Sequence, residues 1–520
     1  MKTFFRIKTL EQLNQDARRS GQGLRRTLGT FDLTMFGVAA IVGAGIFSAI
    51  GTAAAGSLES GRAPAGPALV LSILLVGLAC AFTALAYAEL AAMIPVSGSA
   101  YTYAYAALGE GFAWIIGWDL LLEYAFSSMA IAISWSSYAR GLLASVLGIH
   151  IPGWLALDPR TALQQVPGTV PLALGDRLEA LGLAREGLAD GAALFAHWDE
   201  LQSAPLLNGW PVTVNLPAAL VTFAVTWLAY WGIKESARGN TVLVLLKLVV
   251  LLGVVGCGAL FIDPANWKPF APGGFRGVHA GAAIMFFAFV GFDSITTLTE
   301  ECRTPGRSLP RGILWSLLLC TALYVVVAVV VTGMVRYDQL KGIGNPLAFI
   351  FTQHRLDGLA GAVAVGALIA TTSALLAYQV AQPRVMMSMS RDGLLGPWFG
   401  RISPGRGTPA HATWLTGAMV AAPAALLNLE EVVELTNIGT LFAFIIVCAG
   451  TLILRVRRPE APRAFRVRWP WLVFPLGILS SALLMAALPR LTWIRFILWL
   501  GLGLAVYLLY GRRRSRTGDS

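Results

Sequence analysis

Four ionisable side chains stand inside long apolar stretches of this chain: Asp119 and Glu123 in GWDLLLEY, Lys247 in LVLLKLVV and Asp293 in FFAFVGFDS. A charge at the centre of a membrane-spanning helix is opposed by roughly 2.5–3.5 kcal/mol, so each of these needs a partner or a purpose. Asp119 and Glu123 are four residues apart and share one helix face. Glu123 and Asp293 could neutralise a basic side chain or serve proton chemistry with Lys247. Two readings stand open for Lys247. It lies only about seven residues from the start of its predicted helix, roughly 10 Å deep, from where it could snorkel to the interface. Alternatively, its ammonium stands where another carrier would bind a metal ion, and a lysine removed from water can give up its proton during a cycle.

Glycines mark a second kind of chemistry. The first apolar stretch reads FDLTMFGVAAIVGAGIF, with Gly43 and Gly45 near its middle, and the sixth places Gly291 two residues before Asp293. A glycine in a helix interior gives up about 1 kcal/mol against alanine. Close packing through small residues would explain one such site. Two interrupted helices, each opening a set of five, point to an inverted-repeat transporter. Unwound backbone exposes N–H groups that suit a carboxylate and carbonyls that suit an ammonium, so a pair of breaks offers both halves of a zwitterion. The chemistry expected here is the binding of an amino acid.

The elements that must hold these residues are hydrophobic and numerous. Of 520 residues, 56% are apolar or aromatic and 13% charged, with a net charge of +11 and a mean hydropathy of +0.67. That composition excludes a disordered chain, a nucleic-acid-binding domain and an ordinary soluble enzyme. Hydropathy predicts twelve spans, near 32–51, 67–94, 112–143, 212–233, 240–261, 278–299, 311–335, 359–388, 411–428, 431–455, 470–488 and 491–510. An even number puts both termini on one side. Arg455, Arg457, Arg458, Arg463, Arg466 and Arg468 in one short loop, with the basic first 31 residues, place that side in the cytoplasm. The segment 145–210 would lie outside and is acidic. Leu and Ala at helical spacing from Asp176 to Leu201 suggest a short amphipathic helix there, either a lid or a tolerated insertion.

Cysteines 80, 257, 302, 320 and 448 have no metal or disulfide spacing, and none of the five histidines opens an H-E-x-x-H zinc site. No metal, cofactor or catalytic residue is expected, and an intramembrane enzyme is set aside.

The stretches GVAAIVGAGIF, GWDLLLEY and FFAFVGFD, with SMSRDGLL at 388–395, together resemble the amino acid–polyamine–organocation superfamily, in particular bacterial members of its cationic amino acid transporter branch. The likeness runs from about Leu24 to Tyr510. It implies an all-α polytopic fold of two inverted five-helix repeats, LeuT-like, with discontinuous first and sixth helices and two additional C-terminal helices. The division is then a tail over 1–31, repeats over 32–261 and 278–455, extra helices over 470–510 and a tail over 511–520. By the same resemblance the carboxylate-binding loop falls on Val42, Gly43, Ala44 and Gly45. The amino-group carbonyls fall on Ala40, Ile41, Phe286, Ala288 and Phe289, the gating aromatic on Phe287, the proton-linked lysine on Lys247, and its carboxylates on Glu123 and Asp293. Side-chain-pocket candidates on the eighth helix are Ser373 and Leu375.

The leading expectation is a proton-coupled symporter importing L-amino acids across a bacterial inner membrane by alternating access. An obligate exchanger needs no titrating lysine, and a non-transporting sensor would carry a signalling domain, but both remain alternatives. Neutral or broad specificity is favoured over cationic. Protons and lipid are partners, nucleic acid is not, and a small membrane subunit is left open.

Overall fold

The computed structural model describes residues 6–7, 28–56, 61–94, 99–164, 197, 201–207, 210–231, 237–403 and 408–514. The amphipathic helix expected over 176–201 falls outside these, apart from residues 197 and 201. Among the described residues the fold is a polytopic helical bundle. Lipid offers no hydrogen bonds, so a spanning chain satisfies its backbone within its own helices, and the Leu, Val, Ile and Ala runs do this here.

The first span is α1 (Thr30–Ile41), a wide π turn (Gly45–Ala49) and α2 (Ile50–Ala55). Then come α3 (Leu69–Met93), the short α4 (Ser99–Ala107), the long α5 (Glu110–Leu147), α6 (Leu216–Trp231) and α7 (Ala237–Gly258). The order recurs. α8 (Gly274–Met285) passes into 3-10 turns (Phe286–Phe289 and Phe292–Glu301), followed by α9 (Pro305–Met334), the short α10 (Pro346–Gln353), α11 (Asp357–Arg391), α12 (Ala410–Ala424) and α13 (Leu429–Arg457). Helices α14 (Pro470–Ala486) and α15 (Arg490–Val506) complete the chain. Nine of the described helical stretches are long and apolar enough to cross a membrane, and α6 and α14 are shorter apolar helices. With α12 they match the twelve spans read from the sequence. The fold is thus of the five-plus-five kind with two added helices, and its first and sixth helices are discontinuous.

Polar cross-links agree with this threading. On the face carrying the termini, Arg455 at the end of α13 makes a two-pronged contact with Glu89 near the end of α3, and Tyr507 donates to Glu110 at the start of α5 (3.1 Å). On the opposite face, Arg62 between α2 and α3 bonds Glu434 near the start of α13 at 2.7 Å. The described ends of the connection after α5 are bonded there as well: Val214 N–H donates to the Trp154 carbonyl, and Arg160 pairs with Glu431. Asp158 caps the turn that carries Arg160, accepting from the N–H groups of Arg160 and Thr161. Burial pushes the Asp158 carboxyl up, and the hydrogen bonds from Thr161 and Arg160 oppose that shift.

Helices α14 and α15 lie at the margin. α15 is held to α5 by aromatic contact, Trp499 stacking on Trp118 at 4.7 Å, and by the Trp114 indole donating to the Gly503 carbonyl at 2.8 Å.

Candidate functional site

The first helix comes apart where its glycines are. α1 ends at Ile41, Val42 is extended (φ −79°, ψ 91°), and helical geometry resumes at Ala44. Restarting a helix leaves the N–H groups of its first turn without intrahelical acceptors, and ending one leaves its last carbonyls free. Those carbonyls are taken by side chains from two helices, α7 and α9. Lys247 Nζ donates to the Ala39 carbonyl (3.2 Å) and the Val42 carbonyl (3.4 Å), and the Tyr324 hydroxyl donates to the Ile41 carbonyl (2.9 Å). The restarted half is pinned to α5: Tyr138 donates to the Phe47 carbonyl at 2.5 Å, and the hydroxyls of Ser48 and Ser134 share a hydrogen bond at 2.5 Å. The break is therefore built into its surroundings.

The sixth helix breaks beside it. Val290 is extended, and Gly291 has φ +116°, a region where an L side chain is strained. A Cβ on Gly291 would lie 3.1 Å from the Ala40 carbonyl oxygen, and one on Gly45 would lie 2.3 Å from the Ala288 Cα. The two breaks touch at both points. Phe286 packs edge-on against Phe444 and Phe289 against Tyr324, with ring centroids 5.6 and 5.4 Å apart. Phe287 is buried between them in the chain, and its carbonyl accepts from Val290 N–H at 3.3 Å.

Several sequence-based expectations shift in detail. Lys247 does not snorkel: α7 starts at Ala237, so the lysine lies ten residues in, about 15 Å along the helix, and is 1% exposed. Gly45, expected in a carboxylate loop, is filled by its packing on Ala288. Gly43 is the roomier position, its nearest neighbour for an added Cβ being Ala374 Cβ at 3.6 Å. The eighth-helix residue facing the break is thus Ala374, between the expected Ser373 and Leu375. Ser373 bonds its own helix at the Ala370 carbonyl, and Leu375 is buried. Ile41 keeps its carbonyl in the site but shares it with Tyr324.

The carboxylates form a separate group on the terminus-bearing side of the breaks. Ser99 on α4 donates to Asp293 Oδ2 at 3.3 Å, while Asp293 Oδ1, Glu123 Oε1 and both Asp119 oxygens have no hydrogen-bond partner among the described residues. Asp293 lies in the electrostatic field of Glu123, as does Asp119, and the Thr440 hydroxyl faces Glu123. Among the described residues no group of His, Cys, Asp or Glu is arranged to hold a metal ion.

Sequence reasoning missed Tyr324, Tyr138 and the Ser48–Ser134 pair. A signal existed for the first, since Tyr324 stands in LYVVVAVV, a run otherwise without a hydrogen-bonding side chain. Nothing in the local sequence distinguishes Ser134 from the other hydroxyls of α5.

This arrangement has known relatives. A family profile described as amino acid permease matches residues 28–505. The branched-chain amino acid permease BcaP of Bacillus subtilis (strain 168) is 39% identical over 513 residues, 98% of each chain. The methylthioribose transporter of the same organism is 38% identical over 518 residues, 99% of each chain. The vacuolar cationic amino acid transporter 2 of Arabidopsis thaliana is 33% identical over 466 residues, covering 88% of this chain and 64% of that protein. With the broken first and sixth helices, these likenesses place the chain in the amino acid permease family of the amino acid–polyamine–organocation superfamily, a multi-pass membrane carrier of amino acids and not an enzyme.

Proposed function

We propose that this permease is a proton-coupled importer of L-amino acids with neutral side chains, working by alternating access in a bacterial inner membrane with both termini cytoplasmic. The observation that carries the reading is the Lys247 ammonium bonded to the Ala39 and Val42 carbonyls, at the break of the first helix. A protonated lysine holds the end of α1 through a charge-assisted contact. Loss of its proton removes the charge and loosens α1 from α7, so proton occupancy and helix position are linked. The substrate carboxylate is assigned to the loop Val42, Gly43, Ala44 and Gly45, through the N–H groups of its last three residues, since the Val42 N–H is donated to the Val38 carbonyl. The ammonium is assigned to the carbonyls of Ala40, Ile41, Phe286, Ala288 and Phe289, with Phe287 closing over it. Glu123 and Asp293 are assigned to proton transfer with Lys247. The division is into repeats over 32–261 and 278–455, followed by the extra helices.

A neutral side chain is supported by the apolar lining at Ala374, Phe287 and Phe289, and by likeness to a relative named for branched-chain substrates. The relative named for methylthioribose supports a second reading, a neutral non-amino-acid solute in the same pocket. In proteoliposomes with an acid exterior, leucine, valine or isoleucine should accumulate, and methylthioribose should not compete. Lys247→Ala should abolish accumulation on the pH gradient and leave some substrate binding. Undiminished, gradient-dependent accumulation by that variant would remove the coupling role of Lys247.

A further inference from the structure

Asp119 is a buried carboxyl that the transport scheme above does not use. It is 0% exposed, and neither oxygen has a hydrogen-bond partner among the described residues. It does not sit in open space: a Cβ on Gly439 of α13 would lie 2.9 Å from Asp119 Oδ1. Glycine at 439 gives the carboxyl its room. Glu123 lies one helical turn away on the same helix, about 6 Å along the axis and nearer the breaks. Asp293 is the next acid, two residues beyond Gly291, which itself rests on Ala40. Three buried carboxyls thus step from the breaks toward the terminus-bearing face.

The groups facing this series are polar but uncharged. α13 presents Gly439 and Thr440, and α4 presents Ser99 to Asp293. α11 presents Gln382, whose Nε2 donates to the Leu121 carbonyl (3.3 Å), at a height between Asp119 and Glu123, while its Oε1 is buried without a partner. Gln379 Nε2 on α11 and the Thr416 hydroxyl on α12 are likewise buried and unpartnered. Glu123 is the titratable group next to Asp119, Asp293 lies beyond it, the phenols of Tyr87, Tyr103, Tyr124 and Tyr378 stand in the field of Asp293, and none of the three acids has an ion-pair partner among the described residues. Nearer the membrane surface, Tyr101 packs on Gly117 and donates to Asp392 at 2.5 Å. The opposite half of the site looks different, because its hydroxyls are paired with one another or with carbonyls: Ser48 with Ser134, Tyr138 with Phe47 and Ser136 with Asn215.

An unpaired carboxylate and an unpaired carboxamide are tolerated in a membrane interior when they face a pathway for protons or water. We propose that Asp119 is a relay carboxyl that takes the coupled proton from Glu123 and delivers it to the terminus-bearing side of the membrane. No hydrogen bond joins the two carboxyls, so in the transfer a water between them takes the proton from a Glu123 oxygen as it gives one of its own to an Asp119 oxygen, leaving Glu123 ionised, Asp119 neutral and the water unchanged. When that side opens, Asp119 gives the proton to water and Glu123 is recharged from the breaks, so one proton crosses per turn. This rests on the symport reading above.

The test uses the full-length protein in liposomes. In Asp119→Asn, uptake driven by a pH gradient should fall by an order of magnitude or more, while exchange of labelled for unlabelled amino acid at equal pH, which needs no net proton movement, is retained. Asp119→Glu should restore part of the gradient-driven uptake. An infrared band of a protonated carboxyl should disappear in Asp119→Asn. Wild-type accumulation that ignores the gradient would sink the symport reading and the relay with it. If the wild type does follow the gradient, gradient-driven uptake unchanged in Asp119→Asn would overturn the relay alone. So would loss of exchange in equal measure in a variant that still binds substrate. Should Asp119→Asn fail to fold, Asp119→Glu decides: an unaltered pH profile of uptake in that variant overturns the proposal.

Discussion

At the scale of single residues, the two glycines of the first break have different work, which their spacing in the sequence does not reveal. Gly45 is where the first and sixth helices meet. Any side chain there must displace the Ala288 backbone, since the added Cβ would come within 2.3 Å of its Cα. Gly43 has ordinary van der Waals room against Ala374, at 3.6 Å. Gly45→Ala should therefore destabilise the protein by about 1–3 kcal/mol, the usual cost of overpacking, and lower its Tm with or without amino acid. Gly43→Ala should leave the Tm of the ligand-free protein unchanged and weaken only the upward shift caused by substrate. Thermal unfolding of both variants, with and without leucine, checks this. A larger loss of Tm in Gly43→Ala would reverse the assignment. The sequence made the region legible because glycine pairs inside apolar runs are conspicuous. Which glycine packs and which leaves space depends on residues more than 200 positions away.

At the scale of elements, the breaks are held open by different means. The first is held by side chains arriving from α5, α7 and α9. The second rests on backbone geometry, with Gly291 at φ +116°. Gly291→Ala would force a side chain into that conformation at a cost of roughly 1–2 kcal/mol and press it on the Ala40 carbonyl. The expected result is a folded protein with a lowered Tm that no longer shifts with substrate, again read by thermal unfolding. A normal substrate-induced shift would mean that the sixth-helix break is not part of the binding site. The twelve long elements were legible because a spanning helix needs about 20 apolar residues. The short α4 and α10, of 9 and 8 residues, were not. SAYTYAYAA alternates tyrosine with small residues, a period nearer two than 3.6, and α10 is too short to show a period at all. A start signal for α10 does exist in Asn345-Pro346, with proline at the first helical position. The depth of Lys247 was misjudged for a similar reason: its helix was expected to begin three residues late, and helix ends are the least defined feature of a hydropathy profile.

At the scale of the whole molecule, each face carries a buried ion pair ending on α13. On one face Arg62 reaches Glu434 and Glu430, with side chains 5%, 8% and 18% exposed. Arg62 also lines a narrow cleft with Thr52 of α2, Ile284 of α8 and Val433 of α13, which runs from the loop toward the break of the sixth helix. On the other face Glu89 takes Arg455 and lies 3.4 Å from Arg463. Because α13 is shared, the two pairs act on opposite ends of one rigid rod. Under the proposed alternating access, one pair would separate while the other holds. Removing one partner of a buried pair costs about 3–5 kcal/mol, and that cost falls on the closed arrangement of the face concerned. Arg62→Ala should therefore raise labelling of Thr52→Cys by a membrane-impermeant maleimide from the loop side by an order of magnitude or more, and lower labelling of Ala107→Cys from the terminus-bearing side. Glu89→Gln should do the reverse. Both reporters are placed in a background with the five native cysteines replaced. Equal increases at both reporters in either variant would show that the pairs merely stabilise the bundle. Opposite movements would show that α13 couples the two faces, a link that charge patterning alone could not disclose, since Arg62 and Glu434 are 372 residues apart.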